Sequence, residues 1–261
     1  MTVVPPAYSP PAPPRPSPWS LRLRRAPVTF GLIGATTTVY FFQLAGQLLA
    51  GQDLVLALGK KANELILAGQ VWRLFTPIFI HASPLPLPGP LHIIVNMYSL
   101  FALGPPVERF FGTPRMLALY LLSGISGVVF SLAFTPGPSV GASGAIFGLL
   151  GALAMFLYMH RRLFGQLGRM QLQQLILVGA LNLAYGASNP GIDLWGHIGG
   201  LAAGAACAAY FGPRLAPQES LGISLGLTDQ RPWPEVLPRV AVAVLAVGAV
   251  ALVGMMVAAA G

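Results

Sequence analysis

The sequence predicts an all-α, polytopic membrane protein with a core of six transmembrane helices and one further helix at the C-terminus. Hydrophobic residues make up 55% of the 261 residues and charged residues only 8%, a composition that excludes an ordinary soluble domain. Long stretches without Asp, Glu, Lys or Arg cover residues 26–52, 74–107, 116–160, 170–192, 194–213 and 240–261. A spanning helix needs about 20 apolar residues, and the third stretch has room for two, so we expect seven spans.

The chain divides into four predicted segments. Residues 1–26, which hold eight prolines and four arginines, are typical of a disordered tail, here expected in the cytoplasm. Residues 27–211 form the predicted six-helix core. A Pro-, Gly- and Arg-rich cytoplasmic linker, 212–239, leads to the seventh helix within 240–261, to which we assign no chemistry. The spans are predicted at 28–50, 91–107, 116–134, 143–159, 172–188, 194–211 and 240–260.

Positive charge is distributed unevenly about these spans. Twelve arginines fall in the tail and in the loops on the tail's side, whereas only Lys60, Lys61 and Arg73 fall on the other side. Because positively charged loops stay in the cytoplasm, we expect the N-terminus inside, most simply at a plasma (inner) membrane. The net charge of +8 then predicts anionic lipid head groups on the cytoplasmic side as partners. It does not indicate nucleic acid, because the arginines are spread over separate loops.

Four polar side chains are predicted at one depth in the membrane. His92, Ser143 and His197 lie in the second, fourth and sixth spans, each 17 or 18 residues before an arginine at the cytoplasmic end. At 1.5 Å per residue they lie about 26 Å above those arginines, and Asn96 lies one turn below His92 on the same face. Ionisable and nucleophilic groups are costly inside a membrane, so these four predict a functional site.

This set of side chains indicates acyl-transfer chemistry. A serine hydroxyl needs a neighbouring imidazole to accept its proton, and the resulting oxyanion needs preorganised hydrogen-bond donors. We therefore predict Ser143 as the nucleophile and His197 as the general base and later acid. His92, Asn96 and the backbone N–H of Ser143 are the predicted oxyanion donors.

Glycines support this arrangement. Gly141 and Gly144 flank Ser143, where they allow a sharp entry into the fourth span and close approach of a substrate backbone. Gly144 also begins a stripe of small residues at four-residue steps, and Gly200 and Gly204 belong to a similar stripe in the sixth span. Such stripes let two helices pack closely in lipid, so we expect these two spans to touch.

Several motifs recur in order along residues 70–210: Trp72-Arg73, His92 and Asn96 at H-x-x-x-N spacing, Glu108-Arg109 followed by Gly112, Gly141-Ala142-Ser143-Gly144, and His197 with Gly200 and Gly204. With these motifs the sequence resembles the rhomboid intramembrane serine proteases, and the appended seventh helix is similar to the six-plus-one arrangement of part of that family. The resemblance implies a Ser-His dyad without a third acid, cleavage of transmembrane protein substrates near helix-destabilising small residues, and lateral entry of the substrate beside the fifth span.

Two positions depart from the family pattern. Phe147 stands where many members carry a tyrosine, so the ring remains and any hydroxyl hydrogen bond is lost. One turn below Ser143, this ring is predicted to support the imidazole of His197. Gly196 replaces a frequent alanine before the histidine, a change that we expect to be tolerated.

The sequence lacks the residues that other classes of intramembrane protease need. A zinc protease with an H-E-x-x-H motif needs a glutamate beside a histidine, and no glutamate neighbours a histidine here. An aspartyl protease needs paired aspartates inside the membrane, whereas Asp53, Asp193 and Asp229 lie at span ends or in loops. We predict neither a metal nor an organic cofactor. A non-proteolytic rhomboid-like binder of membrane helices and a small-solute transporter remain alternatives. The binder would usually lack Ser143 or His197, and a transporter would be favoured by inverted repeats.

Five further residues receive structural interpretations. Trp72 is interpreted as part of the aromatic belt at the membrane surface. Arg73 has two equally good interpretations: it organises the first external loop, or its side chain extends to the lipid head groups. Asp193 is expected to cap the sixth span. His81 and His160 lie near membrane boundaries and are expected to be solvated.

Overall fold

The computed structural model describes residues 25–86, 89–220 and 223–260, so the predicted tail lies almost entirely outside the described residues. The described part is largely helical, which confirms the predicted all-α class. Two short 3-10 helices cover Val71–Leu74 and Thr76–Ile78, and the strands β1 (Leu215–Ser220) and β2 (Ile223–Asp229) form an antiparallel pair. The α-helices of the described residues are α1 (Pro27–Ala50), α2 (Leu54–Gly59), α3 (Asn63–Leu67), α4 (Gly89–Phe111), α5 (Thr113–Phe134), α6 (Ser143–Met159), α7 (Arg161–Ala187), α8 (Leu194–Phe211) and α9 (Trp233–Ala260).

Each predicted span coincides with a helix, namely α1 and α4 to α9 in chain order. By length and apolar composition, three of the described helices can cross a membrane: α1, α5 and, over Trp233–Ala259, α9. The shorter α6 is also apolar. The count of seven spans and the division into core, linker and seventh helix stay predictions.

Two helices extend beyond the predicted apolar spans toward the predicted cytoplasmic side. α7 begins at Arg161 and not near 172, and it is kinked at Gly165, where φ is 54° and ψ is −136°. α9 begins at Trp233 and not near 240. Hydropathy detects only the apolar part of a helix, so the sequence predicts loops where these polar turns precede the two spans. The predicted linker accordingly contains β1, β2 and the first turns of α9.

Helix α6 packs most extensively against α8 and α5. A Cβ added at Gly200 would overlap the carbonyl group of Gly144, and one at Gly204 would overlap that of Gly148. The two backbones therefore touch through glycine, as the stripes of small residues predict. This contact brings the N-terminal turns of α6 and α8 side by side.

The start of α1 is capped by a residue distant in sequence. Ala26 precedes the helix and supplies no side-chain cap. Instead, the buried carboxylate of Glu108, near the end of α4, accepts hydrogen bonds from the backbone N–H groups of Val28 (2.9 Å) and Thr29 (2.8 Å) and from the Thr29 hydroxyl (2.8 Å). A negative charge at a helix N-terminus is favourable, so Glu108 fastens α1 to α4.

The loop between α1 and α4 (residues 51–86), predicted to be external and called the external loop below, is folded around the buried guanidinium of Arg73. This group donates hydrogen bonds to the carbonyl oxygens of Lys60 (2.8 Å) and Ala57 (3.1 Å) and to the side chain of Gln70 (2.8 Å). Of the two interpretations from sequence, loop organisation is therefore correct. Trp72 is half-exposed and donates to the carbonyl oxygen of Leu58.

At the other end of the molecule, the β1–β2 hairpin is fastened to the helices by arginines. Arg115 of α5 pairs with Asp229 at 2.5 Å, and Arg231 donates to the carbonyl oxygens of Tyr210 (2.8 Å) and Gly212 (2.7 Å). These contacts connect the end of α8 and the start of α5 to the segment that leads into α9.

His160 joins the same end of the molecule and is buried, so the expectation that it is solvated is wrong. The backbone N–H of Leu215 donates to its Nε2 at 2.9 Å, and its Nδ1 lies 2.8 Å from the carbonyl oxygen of Phe156. His160 follows the last residue of α6, and sequence spacing cannot reveal that β1 covers it.

Candidate active site

The structure brings Ser143 and His197 together from two different helices. Ser143 Oγ lies 2.8 Å from His197 Nε2, although the residues are 54 positions apart in the chain. This is the distance of a normal hydrogen bond. The hydroxyl can donate to Nε2 when the proton of the ring is on Nδ1, which is the arrangement that a general base requires.

The N-termini of two helices hold this pair. Ser143 is the first residue of α6, so its backbone N–H has no acceptor within the helix. His197 lies in the first turn of α8, where the carboxylate of Asp193 accepts a hydrogen bond from the backbone N–H of Gly196 at 2.9 Å. The predicted N-cap role of Asp193 is thus confirmed.

The His197 ring has an aromatic support and no acidic partner. The Phe147 ring stacks on it with 4.4 Å between ring centroids and 16° between planes. Within the ranges 25–86, 89–220 and 223–260, His197 Nδ1 is buried without a hydrogen-bond partner. Asp193, the carboxylate at this helix end, is engaged with Gly196 and with the hydroxyl of Thr135.

His92 approaches the pair from α4. The backbone N–H of Ala82 donates to its Nδ1 at 3.3 Å, so a neutral His92 carries its proton on Nε2 and can donate from there. Gly141 adopts a φ of 128°, and a Cβ at this position would lie 2.9 Å from both Cε1 and Nε2 of His92. Only glycine therefore fits between the His92 ring and the turn that leads into Ser143.

Comparison with known families identifies the family of the chain. A sequence model of the Rhomboid domain matches residues 68–214, a range that contains Ser143, His197, His92 and Gly141. The chain belongs to the rhomboid family. It is therefore an integral membrane protein with a rhomboid-type helical core, as the sequence resemblance predicts.

Curated rhomboid proteins are similar over the same region. The chain is 41% identical over 161 residues to Rhomboid protease GluP of Bacillus subtilis (strain 168), covering 61% of this chain and 30% of that protein. It is 41% identical over 136 residues to RHOMBOID-like protein 1 of Arabidopsis thaliana, covering 52% of this chain and 33% of that protein. It is 31% identical over 150 residues to Rhomboid-like protease 3 of Toxoplasma gondii, covering 56% of this chain and 54% of that protein. The chain thus spans about a third of the length of the first two relatives.

The other residues of the predicted rhomboid motifs lie at different distances from the Ser143–His197 pair. Asn96 is buried in α4, and its side-chain amide donates to the carbonyl oxygen of His92 at 2.8 Å, which leaves a second N–H on that amide. Gly144 and Gly200 form the contact between α6 and α8 beside Ser143 and His197. Trp72 and Arg73 instead organise the external loop.

Two buried groups of the external loop have no counterpart among the predicted site residues. His81 is fully buried, with its ring 5.0 Å from that of His92, so the expectation of solvation is wrong for it as well. Lys61 is also fully buried. Sequence offers only a weak signal for either one, because their burial depends on segments that are distant in the chain.

Proposed function

We propose that this rhomboid protein is an intramembrane serine endopeptidase that hydrolyses peptide bonds in or near the transmembrane helices of membrane-protein substrates. The observation that carries the proposal is the 2.8 Å hydrogen bond between Ser143 Oγ and His197 Nε2. Membership of the rhomboid family and the 41% identity to Rhomboid protease GluP support the same activity.

In the acylation step, Ser143 Oγ attacks the carbonyl carbon of the scissile peptide bond while its proton passes to His197 Nε2. The oxyanion of the tetrahedral intermediate accepts hydrogen bonds from the Ser143 backbone N–H, from His92 Nε2 and from the free N–H of the Asn96 amide. Each such donor stabilises the transition state by about 3 kcal/mol. His197 then gives its proton to the leaving amine, and the carbon–nitrogen bond breaks.

In the deacylation step, a water molecule replaces the amine. His197 takes a proton from the water, whose oxygen attacks the acyl carbon, and the same proton returns to Ser143 Oγ as the ester bond breaks. Asp193 is occupied at the helix cap, so His197 works without a carboxylate partner. Stacking on Phe147 holds the ring in plane through both proton transfers.

Substrate entry beside α7 is part of the proposal. The fully buried residues of this helix are the glycines Gly168, Gly179 and Gly186, and its larger side chains, such as Leu172 and Leu175, pack on the core only in part. A helix held this loosely can move aside to admit a substrate helix from the lipid. Substrate segments with small, helix-destabilising residues fit best, because a peptide bond must leave its helical hydrogen bonds before Ser143 can attack it.

We place the protein in a plasma (inner) membrane with its N-terminus in the cytoplasm. The charge asymmetry of the sequence supports this orientation. In the structure, Arg161, Arg162 and Arg169 at the start of α7 are exposed, where they can contact anionic head groups.

The test is covalent labelling of the purified full chain by a fluorophosphonate probe, together with cleavage of a model transmembrane substrate. Ser143→Ala should abolish both readouts. His197→Ala should reduce cleavage by at least a thousandfold while the protein remains folded. Ser188→Ala serves as the matched control, because Ser188 is exposed and its hydroxyl contacts only its own helix, and it should behave as the wild type.

Two results would refute the protease assignment. One is labelling or cleavage that survives Ser143→Ala. The other is a folded wild type that is neither labelled nor active, which would favour the non-proteolytic binder, the more so if the chain still captured transmembrane helices.

A further inference from the structure

Lys61 is a cation that the proposed chemistry does not use, yet it is fully buried. It lies between α2 and α3 in the external loop. Burial lowers the pKa of Lys61 to about 8, against the opposing effect of the Asp193 charge. The side chain therefore keeps its proton at pH 7 and needs acceptors for its N–H groups.

Those acceptors belong to the segment that connects α5 to α6. Lys61 Nζ donates to the carbonyl oxygens of Thr135, at 2.5 Å, and Gly137, at 2.8 Å. The backbone of Lys61 pairs with that of Ser139 in both directions, at 3.0 and 3.3 Å. Asn63 adds hydrogen bonds from its side-chain amide to the carbonyl oxygens of Leu132 and Thr135. The external loop thus fastens the end of α5 and the residues that follow it.

This segment leads directly to both members of the dyad. The backbone N–H of Gly141 donates to the carbonyl oxygen of Pro77 at 2.9 Å, and Ser143 begins α6 two residues later. In the other direction, the Thr135 hydroxyl donates to Asp193 at 3.2 Å, the residue that caps α8 ahead of His197. A single segment therefore connects the N-terminal turns of the two helices that carry the dyad.

We propose that Lys61 is a positioning residue for the Ser143–His197 dyad, because its ammonium group fixes the segment that sets how the N-termini of α6 and α8 meet. The inference deepens the proposed function and rests on it. Lys61 touches neither reacting group and acts through Thr135, Gly137 and the backbone of Ser139. Proton transfer from the Ser143 hydroxyl to the His197 ring depends on their separation of 2.8 Å. A displacement of about 1 Å lowers the rate of such a reaction about a hundredfold, so the position of this segment matters for the rate.

The primary test compares Lys61→Met with Lys60→Met in the full chain. The two lysines are adjacent, but in the part of the chain that the structure describes the Lys60 side chain makes no hydrogen bond or ion pair. Lys61→Met should lower kcat per folded molecule at least tenfold and leave KM within twofold. Lys60→Met should change neither value. A purely structural role for Lys61 would reduce the amount of folded protein and leave kcat per folded molecule unchanged, and that result would overturn the proposal.

Two further measurements apply if Lys61→Met folds poorly or if the chain proves not to be a protease. Thr135→Val removes the link to Asp193 while keeping the carbonyl acceptor, and it should lower kcat several-fold in a folded protein.

Independently of activity, a thiol introduced by Ser143→Cys in a Cys207→Ala background reports on the dyad through its rate of modification by a small methanethiosulfonate. Lys61→Arg, which keeps a charged donor and should fold, should change this rate at least threefold because its longer fork displaces the segment, whereas Lys60→Arg should not. Equal rates would refute positioning by Lys61, and an inactive wild type with unequal rates would refute only the protease assignment.

Discussion

Replacement of Gly141 by alanine tests the geometry of the proposed oxyanion site most directly. The new Cβ would lie 2.9 Å from His92 Nε2, whereas ordinary contacts begin near 3.4 Å. The imidazole must therefore move by about 0.5 Å, or the turn before Ser143 must move by the same amount. The φ of 128° adds a backbone penalty of about 1–2 kcal/mol for a residue with a side chain.

These two effects have separate consequences. The backbone penalty lowers the free energy of unfolding. The displaced ring no longer directs its N–H at the oxyanion, and loss of one such donor lowers kcat by about 10²–10³-fold. Since the proposed role of His92 is to stabilise charge that is present only in the transition state, we expect KM to change little.

The assay is the rate of cleavage of a model transmembrane substrate in detergent, normalised to the folded fraction. Gly69→Ala is the matched control, because Gly69 has a φ of 99° and an added Cβ would meet nothing within 4 Å. It carries the same type of backbone penalty without the contact to His92, so it should lose stability and keep kcat. If Gly141→Ala kept the wild-type kcat per folded molecule, the proposed role of His92 would be wrong.

Two predictions concern stability. Glu108→Gln replaces one acceptor oxygen with an amide that faces the N–H donors at the start of α1, so it should lower the free energy of unfolding by about 1–3 kcal/mol. Denaturant titration in detergent measures this loss. Glu235→Gln, at an exposed position, is the control and should have almost no effect; equal losses in the two variants would contradict the capping role of Glu108. Burial, with a smaller effect of His92, lowers the pKa of His81 from 6.5 to about 3. Below pH 6.5 His81 therefore binds a proton in the unfolded chain but stays neutral in the folded chain. The free energy of unfolding should fall by up to about 1.4 kcal/mol per pH unit between pH 6.5 and 3. His81→Gln should flatten this slope in unfolding titrations at pH 7 and 5, and an unchanged slope would show that another group is responsible.

Sequence alone predicts the parts of this molecule whose signals are local. The bounds of α6 and α8 agree with the predicted spans, because glycines and Asp193 mark the starts of these helices. The meeting of Ser143 and His197 was predictable from equal depth and from matching stripes of small residues, since both are regular properties of a helix.

What sequence did not predict depends on groups that meet across long separations. Sequence counts Lys61 only as an external cation, but the carbonyl oxygens of Thr135 and Gly137 accept hydrogen bonds from its buried ammonium group. His81 and His160 are expected to be solvated because they lie near predicted membrane boundaries, but His81 packs beside His92 of α4 and Leu215 of β1 contacts His160. The family motif drew attention to Glu108, yet only the fold shows that its carboxylate caps a helix almost eighty residues earlier in the chain.

The cap on α1 has a consequence for how the chain is assembled as it is synthesised. Val28 precedes Glu108 by 80 residues, so the ribosome completes the first transmembrane helix long before the acceptor for its leading amides exists. The backbone N–H groups in the first turn of α1 therefore lack this acceptor until α4 has been inserted. Only later does His197 emerge and join Ser143, so a nascent chain is already anchored in the bilayer before the proposed catalytic pair forms.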